Sequence, residues 1–425
     1  MTILQPIGTQ GCGCDRRDTL KALLSVDDAL ALIDERTTAI TETEMLATEL
    51  ALGRILADPV TSLQMTPPFD NAAMDGYAVA TSALTGSGPW NLPVIARIPA
   101  GQVAAPLSGL RASRIFTGAP IPVGADAVVM QEDVQRTGAT IRIDHRPEPG
   151  LNIRRAGSEL AAGDLVLQKG CRLGAREIAV CAAAEAAQVH VHRRLRVALL
   201  VTGDEVRQAS EDRSEAQIWD VNTPMLRALL TRPGIDLVSV ETGLDSLDGL
   251  FLQISELAGS ADLLITTGGI SVGEEDHVKP ALTAMGADII FSGVAIKPGK
   301  PVSFGHVRGA SWLGFPGNPL SAFITWQLFG EALVRRMTGE TGQSIPRRHV
   351  INAQASSRKP GRCEFRPACF IGFDAQGREV VSFAPETHSS RVAGLSAASG
   401  LIYLPADAAY LPAGALVEFQ PFCPN

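Results

Sequence analysis

Between Leu195 and Met337, apolar runs of strand length alternate with segments of helical periodicity, and this alternation constrains the fold more than any other feature of the chain. Leu195 to Val201 reads as a strand, a helix follows around Pro224 to Leu230, Leu237 to Val240 is a strand, Leu247 to Leu257 is helical, and Leu263 to Thr267 is again a strand. Helix 278–285, strands 288–291, 301–304 and 312–314, and helix 320–337 complete the pattern. Strands of this kind are apolar on both faces because crossover helices cover both, which predicts a doubly wound, mostly parallel sheet. Ligands of such sheets gather at the carboxyl ends of the strands, where loops and helix N-termini present backbone N–H groups.

Three loops fall at those predicted ends. Val201-Thr202-Gly203-Asp204-Glu205 brings a hydroxyl, a flexible glycine and two carboxylates. Thr266-Thr267-Gly268-Gly269-Ile270-Ser271-Val272-Gly273 offers several backbone N–H groups in a bend able to cradle an oxyanion or phosphate, with Asp276 close behind. Gly314-Phe315-Pro316-Gly317-Asn318-Pro319 enters the long helix as a proline-bounded turn whose helix end also favours an anion. In Ile296-Lys297-Pro298-Gly299-Lys300-Pro301, prolines restrict a turn carrying two ammonium groups, a device suited to a small tetrahedral oxyanion. Glu205, Asp245 and Asp276 suit Mg²⁺, a hard cation that takes oxygen ligands and bridges to phosphates. Taken singly, each feature has an ordinary reading as a tight turn, a solvated lysine or a helix cap. Their convergence on one sheet edge favours a site for an anionic ligand. Neither a P-loop nor a dinucleotide fingerprint lies between a strand and a helix, and no Ser-His-Asp order stands out. The histidines, His277 included, read as polar surface groups or as supports behind the site residues.

The remainder of the 425 residues supports further domains. Residues 1–19 lack periodicity and read as a disordered extension. Residues 20–62 and 154–192 are read as one helical or mixed domain, with a capped helix from Ser25, a second helical stretch near Thr43 to Leu56, and an Ala-rich helix from Ala175. Between them, 63–153 carries short apolar segments punctuated by Gly and Pro, an inserted small β domain. The α/β region spans 193–343, and 344–425 alternates like a C-terminal β-barrel or sandwich. A net charge of -8 argues against nucleic-acid and polybasic membrane-surface partners, and no stretch approaches the roughly 20 apolar residues of a membrane span. Seven scattered cysteines read as reduced thiols of a cytoplasmic protein, and Cys12-Gly13-Cys14 has no second pair to complete a zinc site.

The motifs Gly269-Ile270-Ser271-Val272-Gly273-Glu274-Glu275-Asp276, Lys297-Pro298-Gly299-Lys300-Pro301 and Pro316-Gly317-Asn318-Pro319 resemble signature loops of the MoeA/gephyrin E-domain family, the molybdopterin molybdenumtransferases. Asn71 to Ala78 and Arg114 to Val128 are similar to two further motifs of that family, and the likeness runs from about residue 22 to the end. It implies an elongated four-domain subunit that dimerises, so that the site lies between the α/β domain of one chain and the β-rich domain of the other. The implied reaction inserts molybdate into adenylylated molybdopterin with Mg²⁺ and releases AMP; other proteins of the same pathway are implied partners.

By the resemblance, Asp75 and Thr117 reach in from the partner, and Glu205, Asp245 and Asp276 line the metal and pterin site. Thr202, Gly268, Gly269, Ser271, Gly273 and Pro316 to Pro319, with Gly317 and Asn318 between, hold the substrate. Lys297, Lys300, Arg362 and Ser390 are implied to form the molybdate pocket. Glu159 stands where the family usually has aspartate, and Ser246 replaces one of a usual pair of acids, which removes a possible ligand or helix cap. Two rival readings are the preceding adenylylation step and a non-catalytic scaffold of the gephyrin type. The first is disfavoured by Gly-Gly-Ile-Ser-Val-Gly in place of Gly-Gly-Thr-Gly, the second by intact Asp75, Lys297, Lys300 and Asp276.

Overall fold

The computed structural model describes residues 23–422, apart from Ala104, Ser210, Asp245, 271–275, 342–346 and 385–387. The tail with Cys12 and Cys14, and the expected site residues Asp245, Ser271 and Gly273, lie outside the described residues.

The strands expected between 195 and 315 form a six-stranded sheet in the order Ile235–Thr242, Leu195–Val201, Leu263–Thr267, Ala310–Phe315, Ser303–Val307, Asp288–Ser292. The first four run parallel, Ser303–Val307 runs against them and Asp288–Ser292 pairs antiparallel with it, so the sheet is mostly parallel with two antiparallel pairings at one edge. Alternate side chains of one strand feed two cores: Leu195, Val197, Leu199 and Val201 enter one cluster, Ala198 and Leu200 the other. Helices Asn222–Leu230 and Pro319–Thr325 pack on the first face; Leu247–Ser260 and Val278–Ala284 cover the second. The expected helix 320–337 is continuous but contains a π-helical segment, Trp326–Gly330, between Pro319–Thr325 and Glu331–Met337.

Asp262, just before the central strand, accepts from both terminal Arg193 guanidinium nitrogens, Nη1 and Nη2, at 2.6 and 3.0 Å and from the Arg196 backbone at 2.9 Å. Burial alone would raise its carboxyl, but the hydrogen bonds from Arg193 and Arg196 outweigh this and hold it well below the usual carboxylate range. A depressed native value means that this stabilisation is complete above the unfolded value, about 3.9, and is lost as pH falls through the native one. The stability gap between wild type and Asp262→Asn is therefore expected to shrink below about pH 4. Denaturant unfolding across pH checks this, and a gap independent of pH would contradict the charged network.

The segment 20–62 departs from the expected helical texture. The helix from Ser25 forms, as Val26–Arg36, with the Ser25 side chain accepting from Asp28 N at 3.0 Å. Its buried Val26, Ala29 and Ile33 join the α/β core rather than residues 154–192. The second expected helix is instead a strand, Thr43–Ala47, followed by a short 3-10 turn, Thr48–Leu50. That strand pairs antiparallel with Gln188–His192, and long-range pairing overrides the local helical signal.

The inserted β segment forms a sheet in the order Ala127–Met130, Gly76–Val79, Ala112–Ile115, Trp90–Ile98, Thr140–Ile143, Gln135–Thr137. Gly76 is obligatory there, because a Cβ would stand 2.0 Å from the Val129 carbonyl oxygen. At the C-terminus, Cys363–Phe373, Glu379–Phe383, Arg348–Asn352, Leu416–Pro421 and Gly400–Leu404 close into a barrel through the pairing of the first strand with the last. The short strand Ile296–Lys297 of the α/β region adds in parallel to Cys363–Phe373, joining barrel and sheet. Among the described residues no helix is long and apolar enough to cross a membrane.

Candidate active site

A cavity of about 1110 Å³ opens at the carboxyl ends of the parallel strands. The three predicted loops meet there: Thr202, Glu205, Gly268, Gly269, Asp276 and Pro316 to Pro319 all line it. Backbone bonds fix them, with Thr202 N donating to Thr267 O at 3.0 Å and Gly268 N to Phe315 O at 3.1 Å. Asn222, at the start of its helix, donates to Thr267 Oγ1 at 3.0 Å and to Gly317 O at 2.7 Å, bridging the second and third loops.

Two glycines have no substitute. Gly268 and Gly269 adopt φ of +88° and +61°, and Cβ atoms on them would lie 2.5 Å from Thr202 O and 2.8 Å from Val278 Cγ2. Gly268→Ala is expected to destabilise the folded state by about 1–3 kcal/mol and to weaken ligand binding, measured by denaturant unfolding and by titration calorimetry. Unchanged stability would mean that the bend relaxes easily.

Below this loop, Lys279 Nζ donates to Ile270 O. Burial lowers the Lys279 ammonium, opposed by the Asp276 carboxylate. Glu205 and Asp276 share the cavity, but among the described residues no group of three or more His, Cys, Asp or Glu side chains could hold a metal ion. Ser246 does not leave its helix uncapped: it is the N-cap itself, accepting from Gly249 N at 3.1 Å.

The cationic turn is arranged by the barrel. Pairing of Ile296–Lys297 with Cys363 and Glu364 sets Lys297 beside Arg362, whose Nη1 donates to Ile296 O at 3.3 Å. Lys297 Nζ lies 3.4 Å from Glu364 Oε1 and stays about half exposed, while Lys300 is exposed. Lys297, Lys300 and Arg362 are not among the residues lining the main cavity, but Pro301 and Ser390 are, so the turn and the barrel both border it. Ser390 is brought there by Leu320 N, which donates to Ser389 O at 3.0 Å.

Asp75, Thr117 and Glu159 are not among the residues lining the cavity of their own chain. Asp75 and Thr117 form a unit, the Thr117 backbone N and Oγ1 both donating to Asp75 Oδ1 at 2.8 and 2.7 Å. These bonds, the backbone one foremost, hold the Asp75 carboxyl below its usual range. Glu159 is exposed, its backbone N donating to Thr66 O at 2.9 Å.

Sequence reasoning missed Glu364. Its carboxylate is 1% exposed and is surrounded by Arg366 Nε at 3.1 Å, Lys297 Nζ at 3.4 Å and Arg358 Nη1 at 3.5 Å. Burial alone would raise its carboxyl, but the Arg366 hydrogen bond and the neighbouring cations keep it below the usual range. A signal was present in Glu364-Phe365-Arg366, where a period of two puts acid and base on one strand face. Arg358, in the loop before the strand, and Lys297, 67 residues away, gave none.

Three family models match the chain: the MoeA N-terminal region (domain I and II) over residues 24–184, the probable molybdopterin binding domain over 198–336, and the MoeA C-terminal region (domain IV) over 350–422. A molybdopterin molybdenumtransferase of Haemophilus influenzae is 33% identical over 403 residues, covering 94% of this chain and 99% of the relative. The chain belongs to the MoeA family. A molybdopterin molybdenumtransferase of a Nostoc species is 38% identical over 305 residues, covering 70% of each chain. The crystal structure of the molybdopterin biosynthesis MoeA protein from Pyrococcus horikoshii superposes with a TM-score of 0.79 at 26% identity, covering 94% of this chain and all of the other.

Proposed function

We propose that this MoeA-family chain is a molybdopterin molybdenumtransferase that inserts molybdate into adenylylated molybdopterin, uses Mg²⁺, and works in the cytoplasm as a homodimer. The observation that carries the reading is the meeting of Gly268-Gly269, Glu205 and Asp276 in one cavity bordered by the Lys297 to Pro301 turn. Glu205 and Asp276 supply hard oxygen donors, and Mg²⁺ is commonly held by one or two carboxylates together with substrate phosphates. Bound there, Mg²⁺ would neutralise phosphate charge. The Gly268-Gly269 backbone and the loop of Pro316 to Pro319 orient the substrate phosphates, and Lys297, Lys300, Arg362 and Ser390 hold molybdate. An oxygen of molybdate attacks the pterin-side phosphorus and the P–O bond to AMP breaks, so AMP leaves; the two dithiolene sulfurs then bind molybdenum as its bond to the phosphate oxygen breaks, the thiol protons passing to that oxygen and to solvent, with positioning and charge neutralisation carrying the chemistry.

The test is AMP release from adenylylated molybdopterin on addition of molybdate and Mg²⁺. A wild-type protein that binds the pterin but never releases AMP would sink the activity.

In this reading Asp75, Thr117 and Glu159 serve the partner's cavity, which fits their absence from the lining of their own. A two-fold dimer then carries two mixed sites. Asp75→Ala and Asp276→Ala are each expected to be inactive alone, whereas coexpressing them restores about a quarter of wild-type turnover, since half the dimers regain one site. Absence of any recovery in verified heterodimers would place all the acids in one chain's site.

A further inference from the structure

Of the four tryptophans of the chain, Trp90, Trp312 and Trp326 are core residues, 8%, 1% and 0% exposed. Trp219 is 46% exposed and lines the main cavity. Leaving so large an apolar ring in water is unfavourable unless something covers it. Its neighbour Ile218, 56% exposed, lines the same wall.

Both belong to a small ribbon in which Ile218–Trp219 pairs in parallel with Val206–Arg207, directly after the loop that carries Glu205. The ribbon is anchored at its root. Asp220 N donates to Arg207 O at 2.7 Å, and the Asp220 carboxylate caps Thr223 N at 2.9 Å. The Arg213 guanidinium lies 5.5 Å from the Trp219 ring centroid and donates to Ser214 O and Gln217 O, so a cation is fixed beside the ring in the same cavity.

An independent observation points the same way. Asn222, 7% exposed and lining the cavity, uses its amide nitrogen for Thr267 and Gly317, leaving Oδ1 a buried acceptor with no hydrogen-bond partner among the described residues. A buried acceptor without a donor is unfavourable, and an exocyclic amino group of a ligand would satisfy it.

We propose that Trp219 is a stacking platform for a planar, amino-bearing nitrogen heterocycle of the substrate, with Arg213 meeting the negative charge attached to it. The proposal rests on the activity assigned above and deepens it. An aliphatic ligand would use the apolar area but neither the fixed guanidinium nor the buried acceptor, whereas a heterocycle on a phosphate uses all three. Adenylylated molybdopterin has two such rings, adenine and pterin, and the same chemistry would take either.

The experiment titrates the full-length protein separately with AMP and with molybdopterin, following tryptophan fluorescence, with affinities from calorimetry. Because the other tryptophans are buried, quenching reports on Trp219. We expect one of the two ligands to quench, its affinity to fall about tenfold in Trp219→Leu, and Trp219→Phe to recover part of the loss. Quenching by AMP identifies adenine as the stacked ring; quenching by molybdopterin alone identifies the pterin. If neither ligand quenches, or if Trp219→Leu binds both as tightly as wild type, the platform is overturned. A wild type that still releases AMP in that case keeps the assigned activity; one whose Trp219 is quenched but which never releases AMP keeps the platform and loses the activity.

Discussion

The Lys297→Ala, Lys300→Ala double variant is expected to fold, to bind molybdopterin, and to lose molybdate-dependent AMP release by at least about a thousandfold. Removing one group that stabilises transition-state charge typically lowers turnover by about a hundred- to a thousandfold, and here the only two lysines of the turn go together. Folding should survive because Lys300 is exposed and Lys297 about half exposed, while Glu364 keeps Arg358 and Arg366 as counter-charges. Steady-state turnover at saturating pterin, with molybdate varied, is the measurement. Turnover within a few-fold of wild type would move the oxyanion pocket elsewhere.

Glu364→Ala should act on stability instead. It removes the acid that, among the described residues, sits between Lys297, Arg358 and Arg366, two of which are themselves nearly buried at 5% and 3% side-chain exposure. Taking one partner from a buried ion cluster destabilises by about 3–5 kcal/mol, because the remaining charges lose compensation without regaining water. Denaturant unfolding of the double-lysine and Glu364→Ala proteins separates the two effects: the first should unfold near wild type, the second well below it. Burial by itself would raise the Glu364 value, but Arg366 and Lys297 outweigh it and leave the value depressed, so the contribution of Glu364 is present near neutral pH and lost on acidification below about pH 4. Equal stability of Glu364→Ala and wild type at pH 7 would show that the cluster relaxes into solvent.

The two variants also show why one part of the site was legible in the chain and another was not. Thr202, Gly268, Gly269 and Pro316 to Pro319 were found because each follows a predicted strand, and parallel strands deliver their carboxyl ends to one edge. Their meeting in a single cavity follows from that geometry. The cluster at Glu364 was only partly legible, through Arg366 two residues on, because Lys297 joins it only when Ile296–Lys297 adds to the barrel strand Cys363–Phe373, a pairing between segments far apart in sequence. The false helix near Thr43 failed for the same reason: its residues pair with Gln188–His192, which no local window contains.

The sequence by itself determined the doubly wound sheet, the β character of the middle and C-terminal segments, and the family, since these rest on local periodicity and ordered motifs. Tertiary structure alone decided which charges share a boundary, as at Lys297, Arg362 and Glu364, which expected residues lie away from their own chain's cavity, as Asp75, Thr117 and Glu159 do, and which tryptophan lines the cavity. Exposure and electrostatic company are properties of the packed chain, set by contacts that backbone pattern does not encode.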